Sequence, residues 1–470
     1  MCVERCVAIV VTFTVFDGTA SVKFASRVRG ECMRRSVKGS IAGSAIAALA
    51  AALAIGPASG TTVPGITSTQ VSLGAIVTQS GFGTADFPAY ISGVQAYLAY
   101  VNSTGGVYKR QLKLTNVLDD QSSSTQNITD AQQLVLTNHV FAVVGVSSIF
   151  FGGHAFLAKS HTPTFGYVTD TSWSTNSKNG QQNNLFGDYG SVLDYASTVP
   201  DFAFIARKTN STKVALISYN VPQSKNICQP ALNTFKSKFG LNVAYSDLAV
   251  NPITPNFSTD VIKMRNAGVN FIVNCMDYGG GWALNQQLKT YGMNPVQVWM
   301  DGYDRGVIQN HNMLGKTYFI LQHVPFEAAA TYPTAYPGLN LYIKWMAKSG
   351  HTTQQYDDVA LMGWESANLF TLGLRAAGAS PTQAAVVNAI NKIKNDTGGG
   401  VGTPTNWMTA HSTSTSPSCI TYVSVSNAGT SSAKFVQAYN TGKNPWVCYP
   451  LTGPVNVLKP IKPPLGSPGT

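Results

Sequence analysis

Charged side chains are scarce in this chain. Only 11% of its 470 residues are Asp, Glu, Lys or Arg, whereas 44% are hydrophobic. A chain with this balance can bury a large core, which excludes wholesale disorder. Residues 1–60 hold seven Lys and Arg and three Asp and Glu, so the rest has 25 basic and 18 acidic residues, a net charge of +7. Its Lys and Arg form no basic run, and nucleic acid is therefore not an expected partner.

Long apolar runs and catalytic motifs are also missing. No segment after residue 60 has about 18 consecutive apolar residues, so we expect no membrane-spanning helix there. The chain has no G-x-S-x-G, H-E-x-x-H, Walker loop or helix-opening G-x-G-x-x-G, and its seven His residues are isolated. We therefore expect no enzymatic activity and no cofactor, with a hydrolase of unfamiliar site as the least favoured alternative.

The N-terminal 60 residues read as a leader. Residues 33–60 have a basic start, an apolar stretch of small residues and small residues before a cleavage point after Gly60. This pattern is typical of a secretory signal peptide, and its apolar stretch is too short to span a bilayer. Residues 1–32 fit no part of it, so we predict that Met33 is the true start and that 1–32 are a misassigned extension. No Cys sits at the cleavage point, so we expect an extracytoplasmic protein, in the periplasm or at the cell surface, without a lipid anchor.

Cysteine is sparse in the predicted mature chain. Three of the seven residues lie in the leader, and four remain: Cys228, Cys275, Cys419 and Cys448. None has the spacing of a zinc site or a C-x-x-C redox motif, so metal ligands are not expected. Four Cys in an exported protein predict two disulfides, with three possible pairings.

The first part of the mature chain alternates between strand and helix patterns. Strands over 70–77, 112–118 and 141–144 are separated by helices over 89–101 and 127–138, the first with apolar residues at helical spacing. This β-α-β-α-β order predicts a parallel, doubly wound sheet with right-handed crossovers.

The same order restarts after residue 211. Strands alternate with helices over 214–219, 228–239, 243–245, 257–267, 271–274, 282–291 and 296–300. Two α/β units of similar order predict two lobes rather than one extended sheet. Because ligands bind beyond the carboxyl ends of parallel strands, two such lobes facing each other would form a cleft.

Strand order also ranks the disulfide pairings. Cys228 begins the helix after the first strand of the second unit, and Cys275 ends its third strand. In a sheet of order 2-1-3 these two strands are neighbours, so their carboxyl ends lie close together. We therefore favour the pairing Cys228–Cys275 with Cys419–Cys448.

Several blocks follow one another in an order that is itself informative. GAIVTQSGFGTADF precedes GVQAYLAYVNSTGGVYKRQLKLTNVLDDQSSSTQN, which contains Asn-x-x-Gly-Gly and Asp-Asp. FAVVGVSSIFFGG, KVALISYN, VWMDG, GWESANLFTLGLRAAG and ASPTQAAVVNAINKI come next. In this order and spacing, over residues 68–450, the chain resembles the periplasmic type I solute-binding proteins of branched-chain amino acid ABC transporters.

The resemblance implies an α/β fold of two doubly wound parallel-sheet lobes joined by a three-crossing hinge. It places 68–190 and 322–418 in lobe one, and 191–321 and 419–460 in lobe two. It implies a non-catalytic monomer that closes on an amino acid or close analogue and delivers it to an ABC transporter permease. The alternative is a ligand-sensing receptor or regulator that uses the same cleft for an amide or small organic acid.

The resemblance also suggests which residues hold a ligand carboxylate. The family's carboxylate-binding serine falls at Ser148, next to Ser147, if the count from Gly145 is shifted by one residue. Without that shift the position is Ile149. Backbone N–H groups and hydroxyls are suitable donors for a carboxylate.

A second loop follows the sequence TPTFG. The family's ligand-binding threonine corresponds to Thr169 or Asp170, and Val168 would offer its backbone. An acid in this position would repel a carboxylate, so it matters which of the two faces the cleft.

Asp301 is the predicted partner of the ligand's ammonium group. It follows the strand VQVWM and precedes glycine, as does the family's ammonium-binding acid. Aromatic residues crowd the predicted loops, and we expect Phe87, Tyr189 and Tyr278 to line the pocket.

Overall fold

The computed structural model describes residues 63–84, 86–174, 183–188, 190–191, 200–310, 313–412, 418–449 and 459–470, together with two short strands near the N-terminus. Met1–Gly60 and Thr61–Thr470 are separate units. Of the first unit, only the paired strands Val15–Phe16 and Thr19–Ala20 are described. The predicted signal peptide over 33–60 lies outside the described residues.

The first predicted α/β unit forms a five-stranded parallel sheet. Its strands are β1 (Gln70–Val77), β2 (Gln111–Asp119), β3 (Ala142–Ser147), β4 (Thr164–Gly166) and β5 (Leu185–Gly187), in the order β2-β1-β3-β4-β5. Every residue of β3 is buried. Ala142 and Val144 belong to one hydrophobic cluster and Val143 to another, because successive strand side chains point to opposite faces. Val146 joins the cluster of Val143 because the register shifts at Gly145. Burial on both faces explains the continuous apolar run of this strand.

The second predicted α/β unit, which follows residue 211, forms an eight-stranded mixed sheet. Its strands are β6 (Lys213–Tyr219), β7 (Asn242–Val250), β8 (Phe271–Asn274), β9 (Val296–Trp299), β10 (Thr317–Leu321), β11 (Ser418–Ser426), β12 (Lys434–Ala438) and β13 (Val447–Tyr449). The main order is β12-β11-β10-β9-β8-β6-β7, with β13 paired to β11. Strands β6 to β10 are parallel, whereas β11 is antiparallel to β10 and to its other two partners. This part of the fold is the doubly wound α/β arrangement that the sequence predicted, extended by an antiparallel edge.

The α-helices of the described residues connect and cover these strands. They are α1 (Ala89–Ser103), α2 (Ser124–Gln132), α3 (His154–Lys159), α4 (Pro200–Lys208), α5 (Pro222–Thr234), α6 (Ser258–Asn266), α7 (Tyr278–Thr290), α8 (Arg305–Asn310), α9 (Phe326–Thr331), α10 (Pro337–Lys348), α11 (Asp358–Ala376) and α12 (Gln383–Ile390). None of them has the length and hydropathy of a membrane span.

Three predicted helices begin earlier than expected, and α7 does so because the Asp277 side chain caps it ahead of Tyr278. Helix α2 starts at Ser124 because the Ser123 hydroxyl accepts a hydrogen bond of 3.3 Å from the Gln126 N–H and caps the helix. Helix α5 starts at Pro222, since proline is well accommodated in the first helical turn. Helices α2 and α5 continue as five-residue π-helices, over Gln133–Thr137 and Phe235–Phe239.

Helices α1 and α11 pack very closely because a glycine lies at the contact on each side. A Cβ atom on Gly93 would lie 1.7 Å from the Ala360 carbonyl oxygen, and one on Gly363 would lie 1.9 Å from the Tyr90 carbonyl oxygen. Neither position can take a larger residue without separating the helices. This packing ties α11, which comes late in the sequence, to the first sheet.

The chain passes between the two sheets three times: after β5, after β10 and before β11. The two disulfides are Cys228–Cys275, with a Cα–Cα distance of 5.9 Å, and Cys419–Cys448, at 4.0 Å. This is the pairing that strand order predicted. It is explained by register, because β6 and β8 are hydrogen-bonded neighbours, and Cys419 is paired with Cys448 across β11 and β13.

Candidate functional site

A cavity of about 290 Å³ lies between the two sheets. From the first sheet and the helices packed on it, the wall receives Phe87, Ile149, Tyr167, Val168, Thr169, Asp188, Asp358 and Met362. The second sheet, its helices and the connection after β10 supply Asp201, Phe202, Tyr219, Val221, Gln223, Ser224, Asn226, Ile227, Pro230, Cys275, Met276, Asp277, Met300, Asp301, Ile320, Leu321, Gln322, His323 and Ile420. The volume suits a small organic molecule.

Strand ends position most of the wall. Asp188 follows β5, Asp277 comes shortly after β8, and Asp301 comes shortly after β9. Since parallel strands end at the same edge of a sheet, loops that are far apart in sequence converge there. The position of the cavity is therefore a consequence of the parallel topology.

Four of the predicted ligand-binding residues line the cavity: Phe87, Val168, Thr169 and Asp301. Ser147, Ser148, Asp170 and Tyr278 do not form part of its wall. Tyr189 lies outside the described residues.

The two serines are buried and make hydrogen bonds within the protein. The Ser147 hydroxyl donates to the Phe87 carbonyl at 2.9 Å, and the Ser148 hydroxyl donates to the Ile76 carbonyl at 3.5 Å. Ser148 also accepts a hydrogen bond from the Asn127 amide at 3.1 Å. In this arrangement these hydroxyls shape the loops behind the cavity, whereas Ile149, the position reached without a shift, lines it.

Thr169 and Asp170 have different surroundings. The Thr169 hydroxyl donates to the Ser148 carbonyl at 3.2 Å. The Asp170 carboxylate accepts from the Ser172 N–H at 2.8 Å and from the Gln223 side-chain amide at 2.9 Å. Of the two, Thr169 is the residue in the cavity wall.

Asp301 is paired with a second acid that the sequence did not single out. Its Oδ1 accepts a 2.7 Å hydrogen bond from the Gly302 N–H, and the Asp86 carboxyl donates a hydrogen bond to it. Burial, followed by the charge of Asp301, raises the pKa of Asp86 well above its usual range, so Asp86 holds the shared proton. The pKa of Asp301 is also raised, chiefly by burial.

Four further acids in the wall were missed at the level of sequence: Asp188, Asp201, Asp277 and Asp358. Asp188 could have been found, because it follows a short apolar strand as Asp301 does. Asp277 directly precedes Tyr278, the residue that the sequence favours for the pocket wall. Asp201 and Asp358 lie at helix starts, where an acid is ordinarily read as helix capping.

These acids are held by different means. Asp188 accepts a 2.7 Å hydrogen bond from the Val168 N–H, and burial nevertheless raises its pKa to about 7. Burial raises the pKa of Asp201 to about 6. Asp277 caps α7, accepting from the Gly280 N–H at 2.9 Å and from the Tyr219 hydroxyl at 2.8 Å. Asp358 is 5% exposed, and its pKa is raised well above the usual range, first by burial and then by the charge of Asp301.

Four aromatic residues of the described chain contribute to the wall, among them the predicted Phe87. The rings of Phe87 and Tyr167 lie 5.8 Å apart, and Phe202 and Tyr219 join them from the opposite side. Trp173 and Tyr303, by contrast, are buried in packing. Three methionines, Met276, Met300 and Met362, complete an adaptable apolar surface.

The described residues contain no group of three or more His, Cys, Asp and Glu side chains arranged to hold a metal ion. The carboxylates of the cavity are instead spread around a space large enough for an organic molecule. Such a site can bind a solute whose apolar body packs against the wall and whose hydrogen-bond donors face the carboxylates.

A family model described as periplasmic binding protein matches residues 70–430 of the chain. No curated protein matches the chain significantly in sequence.

Solved structures share the fold at low sequence identity. The fatty acid ABC transporter substrate-binding protein from Thermomonospora curvata is 15% identical, with a TM-score of 0.65, covering 86% of this chain and 97% of its own. The branched-chain amino acid transporter substrate-binding protein from Streptococcus pneumoniae, in complex with isoleucine, is 18% identical, with a TM-score of 0.60 and coverage of 79% and 100%. A solute-binding protein from R. palustris, in complex with 4-hydroxybenzoate, is 14% identical, with a TM-score of 0.61 and coverage of 76% and 93%.

Proposed function

Because this chain belongs to the periplasmic binding protein family, we propose that it is the extracytoplasmic solute-binding protein of an ABC importer. It binds a small solute that carries an ammonium group, an amino acid or a close analogue, and delivers it to the importer's permease. Binding occurs in the cavity between the two sheets, without turnover.

The observation that supports this function most strongly is the position of Asp301. An acid at the carboxyl end of a strand, in the wall of a cavity, is well placed to accept charge-assisted hydrogen bonds from an ammonium group. The surrounding methionine and aromatic side chains would hold the apolar part of the solute.

The neighbouring structures differ in their ligands, so the choice among solute classes rests on this chain's own wall. A fatty acid or a hydroxybenzoate would bring a negative charge toward Asp188, Asp277 and Asp301. A solute with an ammonium group brings the opposite charge. The wall therefore favours the class represented by amino acids over simple organic acids.

Proteins of this family act outside the cytoplasm, and we propose the same location for this chain. The predicted signal peptide over 33–60 supports export of this chain by the secretory route. Delivery to a permease is the role of solute-binding proteins in ABC importers, and we propose the same role here.

The function can be tested by ligand-dependent stabilisation of the chain beginning at Thr61, the first residue of the large unit. A panel of amino acids, amines, amides, short acids and polyols is screened by thermal shift. A ligand at 100 times its Kd should stabilise the fold by about 2.7 kcal/mol. Chromatography after overnight incubation should recover the ligand unchanged, and conversion of an ester or peptide without any stabilising ligand would refute the binding function.

The role of Asp301 is tested by Asp301→Asn, which keeps an oxygen for the Gly302 N–H but removes the charge. Loss of a charge-assisted hydrogen bond of about 1.5–3 kcal/mol should weaken binding of an ammonium-bearing ligand by roughly 10-fold to 150-fold. Asp260→Asn is a matched control, because Asp260 bonds Tyr245 away from the cavity. Equal affinities of the two variants, measured by calorimetry, would exclude the ammonium role.

A further inference from the structure

His323 stands in the cavity wall with one ring nitrogen unpartnered. The residue is 0% exposed, and its Nδ1 lies 2.9 Å from the Val324 carbonyl oxygen. A carbonyl only accepts, so Nδ1 must carry the proton. Burial lowers the pKa of His323 to about 4, which keeps the ring neutral at physiological pH. Nε2 is therefore a hydrogen-bond acceptor, and no group among the described residues donates to it.

Two other wall residues also have a buried acceptor atom without a hydrogen-bond partner. Asp201 Oδ1 and Gln223 Oε1 are buried and lack a hydrogen-bond partner. Among the described residues of the wall, every buried side-chain atom without a partner is thus an acceptor. Buried acceptors are normally satisfied, so this wall is suited to a ligand that brings N–H donors.

The charged groups of the wall point to the same conclusion. Five aspartates contribute to it, Asp188, Asp201, Asp277, Asp301 and Asp358, whereas the described wall residues include no Lys or Arg. Burial raises the pKa values of Asp188 and Asp201, which means that these carboxyls lack a compensating positive charge. An organic cation would supply that charge.

A carboxylate on the ligand would find few donors here. The hydroxyls of Ser147 and Ser148, to which the family resemblance assigned that role, already donate to backbone carbonyls, as does the hydroxyl of Thr169. The Ser224 and Tyr219 hydroxyls likewise donate to Cys275 and Asp277. A carboxylate would also lie close to the aspartates.

We propose that the cavity selects an organic cation without a carboxylate, a primary amine with an apolar body, over the amino acid of the same carbon skeleton. The inference rests on the proposed function and narrows its solute class. The N–H donors of the cation would face the orphaned acceptors of His323, Gln223 and Asp201, and its charge would be balanced by the carboxylates of the wall, Asp301 among them. The apolar body would lie against Met276, Met300 and Phe87.

Matched compounds test this selectivity directly. In one series, 3-methylbutylamine, leucine and 4-methylpentanoate share a skeleton and differ only in their charged groups. In a second series, 2-phenylethylamine, phenylalanine and 3-phenylpropanoate do the same. Calorimetry of the purified protein at pH 8 should give each amine a Kd at least about ten-fold lower than that of its amino acid. Binding of 4-methylpentanoate and of 3-phenylpropanoate should not be detectable.

Each other result has a definite meaning. Tighter binding of both amino acids than of their amines would overturn the inference and leave the proposed function intact. Tightest binding of the carboxylates would overturn the inference together with the ammonium-binding part of the proposed function. If neither amine binds at 10 mM, the inference is also overturned, and the broad thermal-shift panel then decides the proposed function separately.

Two single substitutions test which aspartates of the wall bind the amine. Asp188→Asn and Asp201→Asn each remove one negative charge, and either should weaken binding of the amine by about ten-fold or more. Asp396→Asn is the control, since Asp396 is a buried acid whose carboxyl bonds the Trp407 indole at 2.9 Å outside this cavity. A single cooperative melting transition in each variant establishes that it is folded. Unchanged amine affinity in both cavity variants would contradict the proposal.

Discussion

The side-chain amide of Gln223 donates a 2.9 Å hydrogen bond to the carboxylate of Asp170. Gln223 belongs to α5, on the second sheet, whereas Asp170 follows β4 of the first sheet. The bond therefore joins the two sides of the cavity. Together with the pair formed by Asp86 and Asp301, it holds the two sides together next to the proposed binding site.

This bond predicts the effect of a charge change at its donor. In Gln223→Glu, a carboxylate would face that of Asp170, so the closed form should be destabilised by about 1 kcal/mol or more. Ligand affinity should fall by roughly five-fold or more, and small-angle scattering should show a larger radius of gyration with ligand present.

The compensating change makes the test specific. Adding Asp170→Asn to Gln223→Glu restores a donor and acceptor pair, while Asn can still accept from the Ser172 N–H. The double variant should recover most of the affinity. If it binds as weakly as Gln223→Glu alone, the contact between the two sides does not control closure.

The raised pKa of Asp188 predicts a pH-dependent difference in stability. Its pKa is about 7 in the folded protein and about 4 in an unfolded chain, so the folded state holds the extra proton between these values. By linkage, the contribution of Asp188 to folding becomes less favourable as pH rises from about 4 to 7. Asn does not titrate, so Asp188→Asn should gain stability relative to the parent over this range.

Urea unfolding of both proteins at pH 5 and pH 8 measures this effect. The comparison with a variant is needed because His323 and His411, each with a pKa lowered to about 4, change stability in the opposite direction between pH 4 and 6.5. We expect the stability difference to shift by at least about 1 kcal/mol in favour of the variant at pH 8. A difference that is the same at both pH values would refute the raised pKa.

Glycine at the crossing of α1 and α11 predicts a large packing effect. Gly363→Ala would put a methyl group 1.9 Å from the Tyr90 carbonyl oxygen, which forces the helices apart. We expect a loss of about 1–3 kcal/mol in stability. Since α11 also carries Asp358 and Met362, ligand affinity should fall as well.

Gly442→Ala is the matched control for this substitution. Among the described residues, apart from its chain neighbours, no atom lies within 4 Å of the Cβ that it would add. Its melting temperature and ligand affinity should equal those of the parent protein. Similar losses in both variants would show that the effect does not come from the contact between α1 and α11.

The disulfide between Cys228 and Cys275 predicts a further stability difference. It closes a loop with a sequence separation of 47 residues, for which chain entropy gives about 4 kcal/mol. The double variant Cys228→Ala, Cys275→Ala should lose stability of this order in urea unfolding. The corresponding variant of Cys419 and Cys448, with a separation of 29, should lose slightly less. A larger loss for the shorter loop would show that native packing outweighs chain entropy at these sites.

Much of the fold follows from the sequence by itself. Strands Gln70–Val77 and Phe271–Asn274 have the predicted bounds, because a parallel strand buried on both faces is a short apolar run between polar loops. Repetition of that pattern determines the parallel topology, and the topology places Cys228 near Cys275 and brings Asp301 to the edge where a cavity forms.

The chemistry of the cavity was decided by tertiary structure. Asp188 and Asp201 are separated in sequence from Asp358 by more than 150 residues, and each one alone reads as an ordinary turn or helix-start acid. Their pKa values are raised chiefly because the fold buries them. Hydrogen bonding shows the same dependence, since Ser148 is committed to Ile76 and Nε2 of His323 is left without a donor only by the way these chain segments pack. Local pattern determines which elements form, but the surroundings of each side chain depend on all the elements at once.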